Sequence, residues 1–161
     1  MKKIYLSFGS ELTPDGYEKE SVSNCFHLPD GSVNELTGMH VLDKIPDLIG
    51  FGINLYRILA PDAKATFEQI YFRHPMAWLN PRTIRGISDH TMGFLSAEWR
   101  KNQAWAISKE DLEALELIDF TLSCGFSVDP NFEHRNEEAK NFALAHYSSS
   151  IPSIRFILGK K

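Results

Sequence analysis

The strongest constraint on the fold is a strand–helix–strand pattern over residues 28–67. Residues 33–41 are largely apolar and compatible with a β-strand. Over residues 41–59, apolar side chains recur at intervals of three, four and seven, which predicts a helix with one apolar side. Pro61 lacks the N–H group that would continue a helix, and residues 65–71 predict the next strand. Such a unit forms one right-handed βαβ crossover of an α/β sheet.

Further patterns extend this unit at both ends. Residues 2–8 alternate and are rich in β-forming side chains, so they predict the first strand. Residues 118–123 and 126–128 predict a strand pair, residues 154–158 predict the last strand, and residues 136–147 predict an amphipathic helix. The sequence therefore predicts an α/β fold with a mainly parallel sheet that ends in a C-terminal antiparallel hairpin.

The pattern also predicts how the elements pack. We expect the strands within residues 2–8, 35–39 and 65–71 to be neighbours in the sheet, because consecutive α/β units add strands side by side. The helix between the last two should bury Ile49 and Ile53 against the sheet.

Composition predicts one soluble domain and excludes several kinds of partner. The 161 residues are 43% hydrophobic, enough for one core over residues 1–161. The net charge of −4 argues against nucleic-acid binding, which favours a basic face.

The sequence also predicts a location in the cytoplasm. No apolar stretch approaches the length of a membrane span, and no signal-peptide pattern follows Met1. Cys25 and Cys124 form no CxxC motif and fit the reducing cytoplasm. A homo-oligomer is left open.

Three short segments agree in order and spacing with a known family. They are Leu28-Pro29-Asp30 followed by Ser32-Val33, then His40-Val41-Leu42-Asp43, then LYRILAP at residues 55–61. Over roughly residues 3–100 the chain resembles class I, S-adenosylmethionine-dependent methyltransferases of the small "methyltransferase type 11" kind. The resemblance implies a Rossmann-like methyltransferase sheet, S-adenosylmethionine as the cofactor, and methyl transfer as the reaction.

The same resemblance implies where the cofactor binds. In the family, three segments surround the cofactor: the turn after the first strand, the segment before residue 28, and the end of the strand before residue 40. Glycines in the first turn let the backbone approach the cofactor closely. The residues at these places, with one candidate acid for the ribose, are Ser7, Gly9, Ser10, Glu18, Asn24, Phe26, Leu28, Met39 and His40.

The chain departs from the family at the cofactor site. The first loop has one glycine, Gly9, where the family has a Gly-x-Gly type loop. By spacing, about a dozen residues are missing after Tyr17, the length of one strand and its connection. Glu18 or Glu20 must then supply the ribose-binding acid, and Asn24 stands near the family's adenine-side aspartate. We therefore predict weak or lost cofactor binding, with a dissociation constant above roughly 100 μM.

A long loop after the third core strand carries the candidate substrate residues. It is dense in Arg, His, Trp and Pro, and loops at strand ends commonly carry function in α/β folds. The candidates are Arg73, His74, Trp78, Arg85 and His90. We expect the first four to lie around one crevice with Gly9 and His40. His74, Asp89 and His90 match no standard metal-ligand spacing, so we expect no metal.

Three interpretations of function remain open. The first is a methyltransferase acting on a small-molecule or saccharide-like acceptor. The second is a catalytically inactive methyltransferase-like domain that serves in binding or assembly, which the shortened cofactor site favours. The third is an unrelated α/β enzyme that uses the loop at residues 73–90.

Overall fold

A six-stranded mixed sheet forms the centre of the computed structural model, which describes residues 1–8, 12–22, 27–127, 129–146 and 152–161. The strands are β1 (Lys3–Ser7), β2 (Glu18–Ser21), β3 (Val33–Met39), β4 (Leu59–Ile70), β5 (Phe120–Phe126) and β6 (Ser153–Lys160). Their order is β2-β1-β3-β4-β6-β5. The first four are parallel, and β6 is antiparallel to both of its neighbours. The predicted mainly parallel sheet with antiparallel C-terminal strands is confirmed.

The helices are short. They are α1 (Leu48–Ile58), α2 (Ala97–Gln103), α3 (Lys109–Ala114), α4 (Pro130–Glu133) and α5 (Glu137–His146), with 3-10 turns at Leu42–Lys44, Pro75–Trp78, Gly93–Leu95 and Ala104–Ala106. Ser96 and Ser108 begin α2 and α3, since each side chain accepts a backbone N–H from the first turn. Asn136 begins α5 in the same way, as the sequence predicts. Within the described part of the chain, no helix is long and apolar enough to cross a membrane.

One face of the sheet carries the apolar core. Leu6, Gly38, Phe67 and Phe156 are register partners across β1, β3, β4 and β6, and all four are buried. Phe51 of α1 meets Phe67 edge to face, with ring centroids 5.8 Å apart. Such a pair contributes about 0.5–1.5 kcal/mol beyond the burial of its area. This contact fixes α1 on the apolar face.

The opposite face of the sheet is more polar. Thr37 and Thr66 are half-buried register partners, and Ile157 beside them is exposed. Glu68 and Arg155 form an ion pair of 2.8 Å across β4 and β6. Such an alternation is typical of a sheet with one solvated face.

The second strand is present. Residues Glu18–Ser21 form β2, parallel to β1, so the expectation that this strand is missing is wrong. β1 ends at Ser7 and β2 begins at Glu18, so ten residues connect them in the sequence. Parallel strands usually need a dozen or more connecting residues. The connection between β1 and β2 is shorter than this. Comparison of the residue spacing with the family therefore predicts a missing strand, although only the connection is short.

The main helix begins later than the sequence predicts. Asp47 caps α1 by accepting the Gly50 N–H at 2.8 Å, so the helix begins at residue 48 and not near 41. Phe51 is buried, whereas Ile49 and Ile53 are half-buried and pack at the edge of the core. The two isoleucines pack against the core as predicted but are only partly buried, because the apolar stripe of α1 is centred on the Phe51 side.

Two strand boundaries also differ. β4 begins at Leu59 and passes through Pro61, whereas the sequence predicts its start at residue 65. The register between β3 and β4 shifts at this place, and Asp62 has a φ of 62°, so Pro61 lies at an irregularity of the kind that admits proline in a sheet. The predicted strand pair at residues 118–128 is one continuous strand, β5, and residue 128 lies outside the described residues.

Candidate functional site

The described parallel strands end at one edge of the sheet. β1 ends at Ser7 and β2 ends at Ser21, and these two serines are register partners. β3 ends at Met39, which pairs with Glu68 near the end of β4. Ligands of open α/β sheets bind outside the carboxyl ends of the strands, so this edge is where a site is expected.

His40 directly follows β3 and has a strained backbone. Its φ is 51°, in the left-handed region that non-glycine residues seldom adopt. The backbone is held there because the His40 N–H donates to the Glu68 carbonyl at 2.9 Å, and the His40 carbonyl accepts from the Lys44 ammonium. Residues in such conformations cluster at functional sites.

A polar cavity of about 250 Å³ opens beside His40, at the ends of β3 and β4. We call it the polar cavity. Its lining comprises His40, Asp43, Lys44, Gln69, Ile70, Met76, Ala77, Asn80, Thr83, Arg85 and Ile87. Two loops supply most of this lining, the one after β3 and the one after β4.

Two buried donors in this lining have no partner among the described residues. Gln69 is 1% exposed, and its Nε2 makes no hydrogen bond. The Nε of Arg85 is also buried without a partner. Unpaired buried donors are rare and costly, so each one calls for an explanation. A bound ligand with acceptor oxygens would satisfy both.

Hydrogen bonds hold Arg85 at the cavity. Thr83 donates its hydroxyl to Asp43 Oδ2 at 2.9 Å, and the Ile84 N–H donates to the Asp43 carbonyl at 2.9 Å. Arg85 itself donates from Nη2 to the Pro46 carbonyl at 2.7 Å. The segment at residues 83–85 is thereby fastened to the loop after β3.

The structure brings together only part of the predicted substrate set. His40 and Arg85 both line the polar cavity. His74 instead accepts the Met76 N–H at 3.2 Å, which begins a 3-10 turn. Trp78 is exposed and donates to the Phe72 carbonyl at 2.9 Å.

Arg73 and His90 are likewise absent from the cavity lining. Arg73 is half-buried, and His90 is exposed with its Nε2 3.7 Å from Asp89. The shared crevice with Gly9 remains a prediction, since Gly9 lies outside the described residues. No cluster of metal ligands occurs in the part of the chain that the structure describes.

Sequence reasoning missed Gln69, although a signal was present. Ala63, Ala65 and Phe67 alternate along β4 as buried, apolar residues on one face. Gln69 is the next residue of this series, at the carboxyl end of the strand. A polar residue in an apolar alternation, where the strand meets the ligand edge, marks a candidate binding residue.

A second cavity, of about 300 Å³, lies next to the first, and we call it the apolar cavity. It lies between Phe8 after β1, Val22 after β2, and the first turns of α1. Its lining comprises Phe8, Val22, Ile45, Pro46, Asp47, Gly50, Phe51 and Asn54.

The predicted cofactor residues occupy different places. Ser7 is buried at the end of β1, and Met39 is 43% exposed at the end of β3. Leu28 is buried, and its carbonyl accepts from Arg57 at 2.9 Å. Glu18 lies at the far end of the sheet, since it opens β2 opposite Ile4 and pairs with Lys2 at 3.2 Å. Gly9, Ser10, Asn24 and Phe26 lie outside the described residues.

Tyr71 follows β4 at the same edge but does not line the polar cavity. Burial raises the pKa of its phenol, and the Asp89 carboxylate raises it further. The ring packs edge to face with Phe126 at 5.4 Å between centroids. The Tyr71 ring therefore links the end of β4 to the end of β5, the strand beyond β6.

Comparison with known proteins supports the fold alone. An S-adenosylmethionine-dependent methyltransferase from Archaeoglobus fulgidus superposes with a TM-score of 0.62 at 11% identity, over 98% of this chain and 75% of that one. One from Mesorhizobium loti superposes with a TM-score of 0.51 at 14% identity, over 99% of this chain and 90% of that one. No family model matches the sequence, and no curated protein does.

The sheet order, the antiparallel C-terminal strands and these superpositions agree with one another. They confirm at the level of fold the resemblance that residues 28–61 carry in the sequence. The chain has the Rossmann-like α/β fold of class I, S-adenosylmethionine-dependent methyltransferases.

Proposed function

We propose that the chain is an S-adenosylmethionine-dependent methyltransferase that acts on a small-molecule or saccharide-like acceptor. The observation that carries this proposal is the pair of cavities at the carboxyl edge. Asp43 and Lys44 line the polar cavity, and Ile45, Pro46 and Asp47 line the apolar one, so a short segment forms the wall between them.

The two cavities suit two different ligands. The apolar cavity, beside the ends of β1 and β2, suits the adenosine part of the cofactor. The polar cavity suits the acceptor, and His40 at its edge is in place to take a proton from an acceptor that must lose one. Methyl transfer is an in-line displacement at a sulfonium, so holding both ligands in line supplies much of the rate enhancement.

We further propose that the cofactor binds weakly, with a dissociation constant above roughly 100 μM. The presence of β2 removes one reason for this, but others remain. β2 ends at Ser21, where the family has an acid, and Glu18 lies at the opposite end of the sheet. The sequence directly after β1 has Gly9 but no Gly-x-Gly pattern. Each hydrogen bond lost to the ribose or the methionine part weakens binding by about 1–3 kcal/mol when its partner is left unpaired.

The second candidate function is a catalytically inactive methyltransferase-like domain. The serine at the end of β2 also favours this alternative, because a neutral hydroxyl replaces the charged acceptor of the ribose hydroxyls. The net charge of −4 argues against a nucleic acid as the partner on either proposal. The methyltransferase would act on a small molecule, and the inactive domain would serve in binding or assembly.

Calorimetric titration with S-adenosylmethionine and S-adenosylhomocysteine tests the proposal. We expect a dissociation constant above about 100 μM for both. Glu20→Gln should weaken binding further, because Glu20 pairs with Leu6 near the ligand edge. Glu18→Gln is the matched control and should bind like the wild type, because Glu18 lies at the amino end of β2.

Each outcome separates the alternatives. Low-micromolar binding contradicts the proposed weakness and supports an efficient enzyme. No heat of binding at millimolar cofactor refutes the methyltransferase and leaves the inactive domain. A loss of affinity in Glu18→Gln alone would show that the cofactor does not bind at the carboxyl edge.

A further inference from the structure

We propose that the polar cavity binds the carboxylate of a small molecule between the Gln69 side-chain amide and the Arg85 guanidinium. Binding itself is independent of methyl transfer. The assignment of this carboxylate to the acceptor, and not to another ligand, rests on the function proposed above.

The first support is the pair of donors without partners. Gln69 is 1% exposed, and its Nε2 is buried and unpaired among the described residues. The Arg85 Nε is also buried and has no partner among the described residues. Both side chains line the polar cavity. Leaving a buried donor unpaired costs free energy, which a ligand oxygen at each donor would recover. Two unpaired donors on side chains of one lining suit a ligand group with two acceptor oxygens.

The second support is the geometry of Arg85. Its Nη2 donates to the Pro46 carbonyl at 2.7 Å, which fixes the guanidinium in place. The Nε has no partner among the described residues, and it belongs to a planar guanidinium fork of the kind that can hold a carboxylate in a bidentate manner. A Lys ammonium presents no such edge.

The third support is the charge of the cavity. The Lys44 ammonium is already engaged by the His40 carbonyl and lies 3.5 Å from Asp43 Oδ1. Asp43 also accepts from Thr83, so its charge faces the same lining. Arg85 is therefore the cation that remains for a ligand, which suits a monoanionic carboxylate better than a phosphate dianion.

The fourth support is size. The cavity, of about 250 Å³, lies just below the range of roughly 300–1,000 Å³ that takes drug-sized ligands. Gln69 and Ile70 close it from the side of β4. This volume suits a small carboxylic acid.

Nuclear magnetic resonance of the ¹⁵N-labelled protein tests the proposal at the two donors themselves. The probes are sodium acetate, glycolate and succinate, each with its neutral amide, at constant ionic strength. We expect saturable shifts of the Gln69 side-chain NH₂ and the Arg85 Nε–H with at least one acid, and none with its amide. The absence of saturable shifts with all three acids would overturn the proposal.

Variants make the test specific. Arg85→Lys keeps the charge but not the fork, and should weaken acid binding about tenfold. Gln69→Leu should weaken it by a similar factor, with its fold checked by circular dichroism. Arg82→Lys is the matched control, because Arg82 is exposed and does not line the cavity. Equal affinity in Arg85→Lys and the wild type would overturn the role of the guanidinium.

Addition of S-adenosylhomocysteine separates the two possible sources of the carboxylate. If the acid belongs to the acceptor, the acid-induced shifts persist when the cofactor product is bound. Displacement of the acid would assign the cavity to the methionine carboxylate of the cofactor and overturn the acceptor assignment. If S-adenosylhomocysteine does not bind at all, the proposed function fails while the carboxylate site stands or falls on its own shifts.

Discussion

The Thr83 hydroxyl donates to Asp43 Oδ2 at 2.9 Å and thereby joins two loops that are 40 residues apart in the sequence. One loop follows β3 and the other follows β4, and the polar cavity lies between them. Two residues further on, Arg85 faces this cavity. We therefore expect the position of Arg85 in the lining to depend on this hydroxyl–carboxylate contact.

We predict that Thr83→Val lowers the free energy of unfolding by about 1 kcal/mol, because Asp43 loses a half-buried hydrogen bond. It should also broaden or shift the Arg85 Nε–H resonance. Thr83→Ser keeps the hydroxyl and is the matched control. Urea unfolding measures the first effect and the ¹⁵N spectrum measures the second. Equal stabilities and equal Arg85 resonances in the Val and Ser variants would contradict the role of the Thr83–Asp43 hydrogen bond.

Gln69→Leu should raise the free energy of unfolding by about 1 kcal/mol, because it replaces an unpaired buried amide by an apolar group of similar volume. The same variant should weaken carboxylate binding about tenfold, so stability and binding move in opposite directions. Phe67→Leu, on the same face two residues earlier, is the control and should lower stability. A destabilised Gln69→Leu would mean that the amide has a partner in solution.

Among the side chains of α1, we expect Phe51 to contribute more to the free energy of unfolding than Ile53. Phe51→Ala should cost about 3–5 kcal/mol, because the side chain is 1% exposed and pairs with Phe67. Ile53→Ala should cost clearly less, about 1 kcal/mol, because Ile53 is half-buried at the edge of the core. Urea unfolding of both variants ranks them, and the reverse order would place the buried stripe of α1 elsewhere.

The acid stability of the sheet should depend partly on Glu35. The hydrogen bond from Lys3, 2.7 Å away, and one from the Tyr17 hydroxyl hold the pKa of Glu35 below its usual value of 4.5. A lowered folded-state pKa adds stability above pH 4.5, and this stability is lost as the pH falls through the lowered pKa.

Unfolding of the wild type and Glu35→Gln between pH 7 and pH 3 measures this contribution. We expect a small advantage of the wild type at neutral pH that vanishes in acid and shrinks with added salt, because the carboxylate is 43% exposed. Tyr17→Phe retains the Lys3 pair and should keep part of the advantage. A difference that does not change with pH would contradict the assignment.

The sequence predicts the sheet well because its signals are local. Each signal involves residues that are close together in the sequence. The signals are the alternation in residues 2–8 and 65–71 and the helical spacing of apolar residues before Pro61. The start of α1 was misplaced because the period of apolar side chains continues backward through the 3-10 turn at Leu42–Lys44. The cap at Asp47 decides where the helix begins, and it is visible in the sequence only once the turn before it is known.

The polar cavity was not predictable in the same way. It forms because the loop after β4 folds back, so that the Phe72 N–H donates to the Ile87 carbonyl at 2.9 Å. That return brings Arg85 to His40 and leaves His74 and Trp78 outside the lining. Arginines and histidines in one loop are equivalent in a sequence, and long-range hydrogen bonds decide which of them reach the edge of the sheet.

The wall between the two cavities has a thermodynamic consequence. Arg85 of the polar cavity donates to the carbonyl of Pro46, and Pro46 lines the apolar cavity. A ligand that pulls on this guanidinium therefore acts on the wall of the neighbouring cavity. Linkage is reciprocal: whatever factor a carboxylate imposes on cofactor affinity, the cofactor imposes on the carboxylate. We expect the hydrogen bond of 2.7 Å between Arg85 and Pro46 to carry this coupling, and titrating each ligand in the presence of the other measures it.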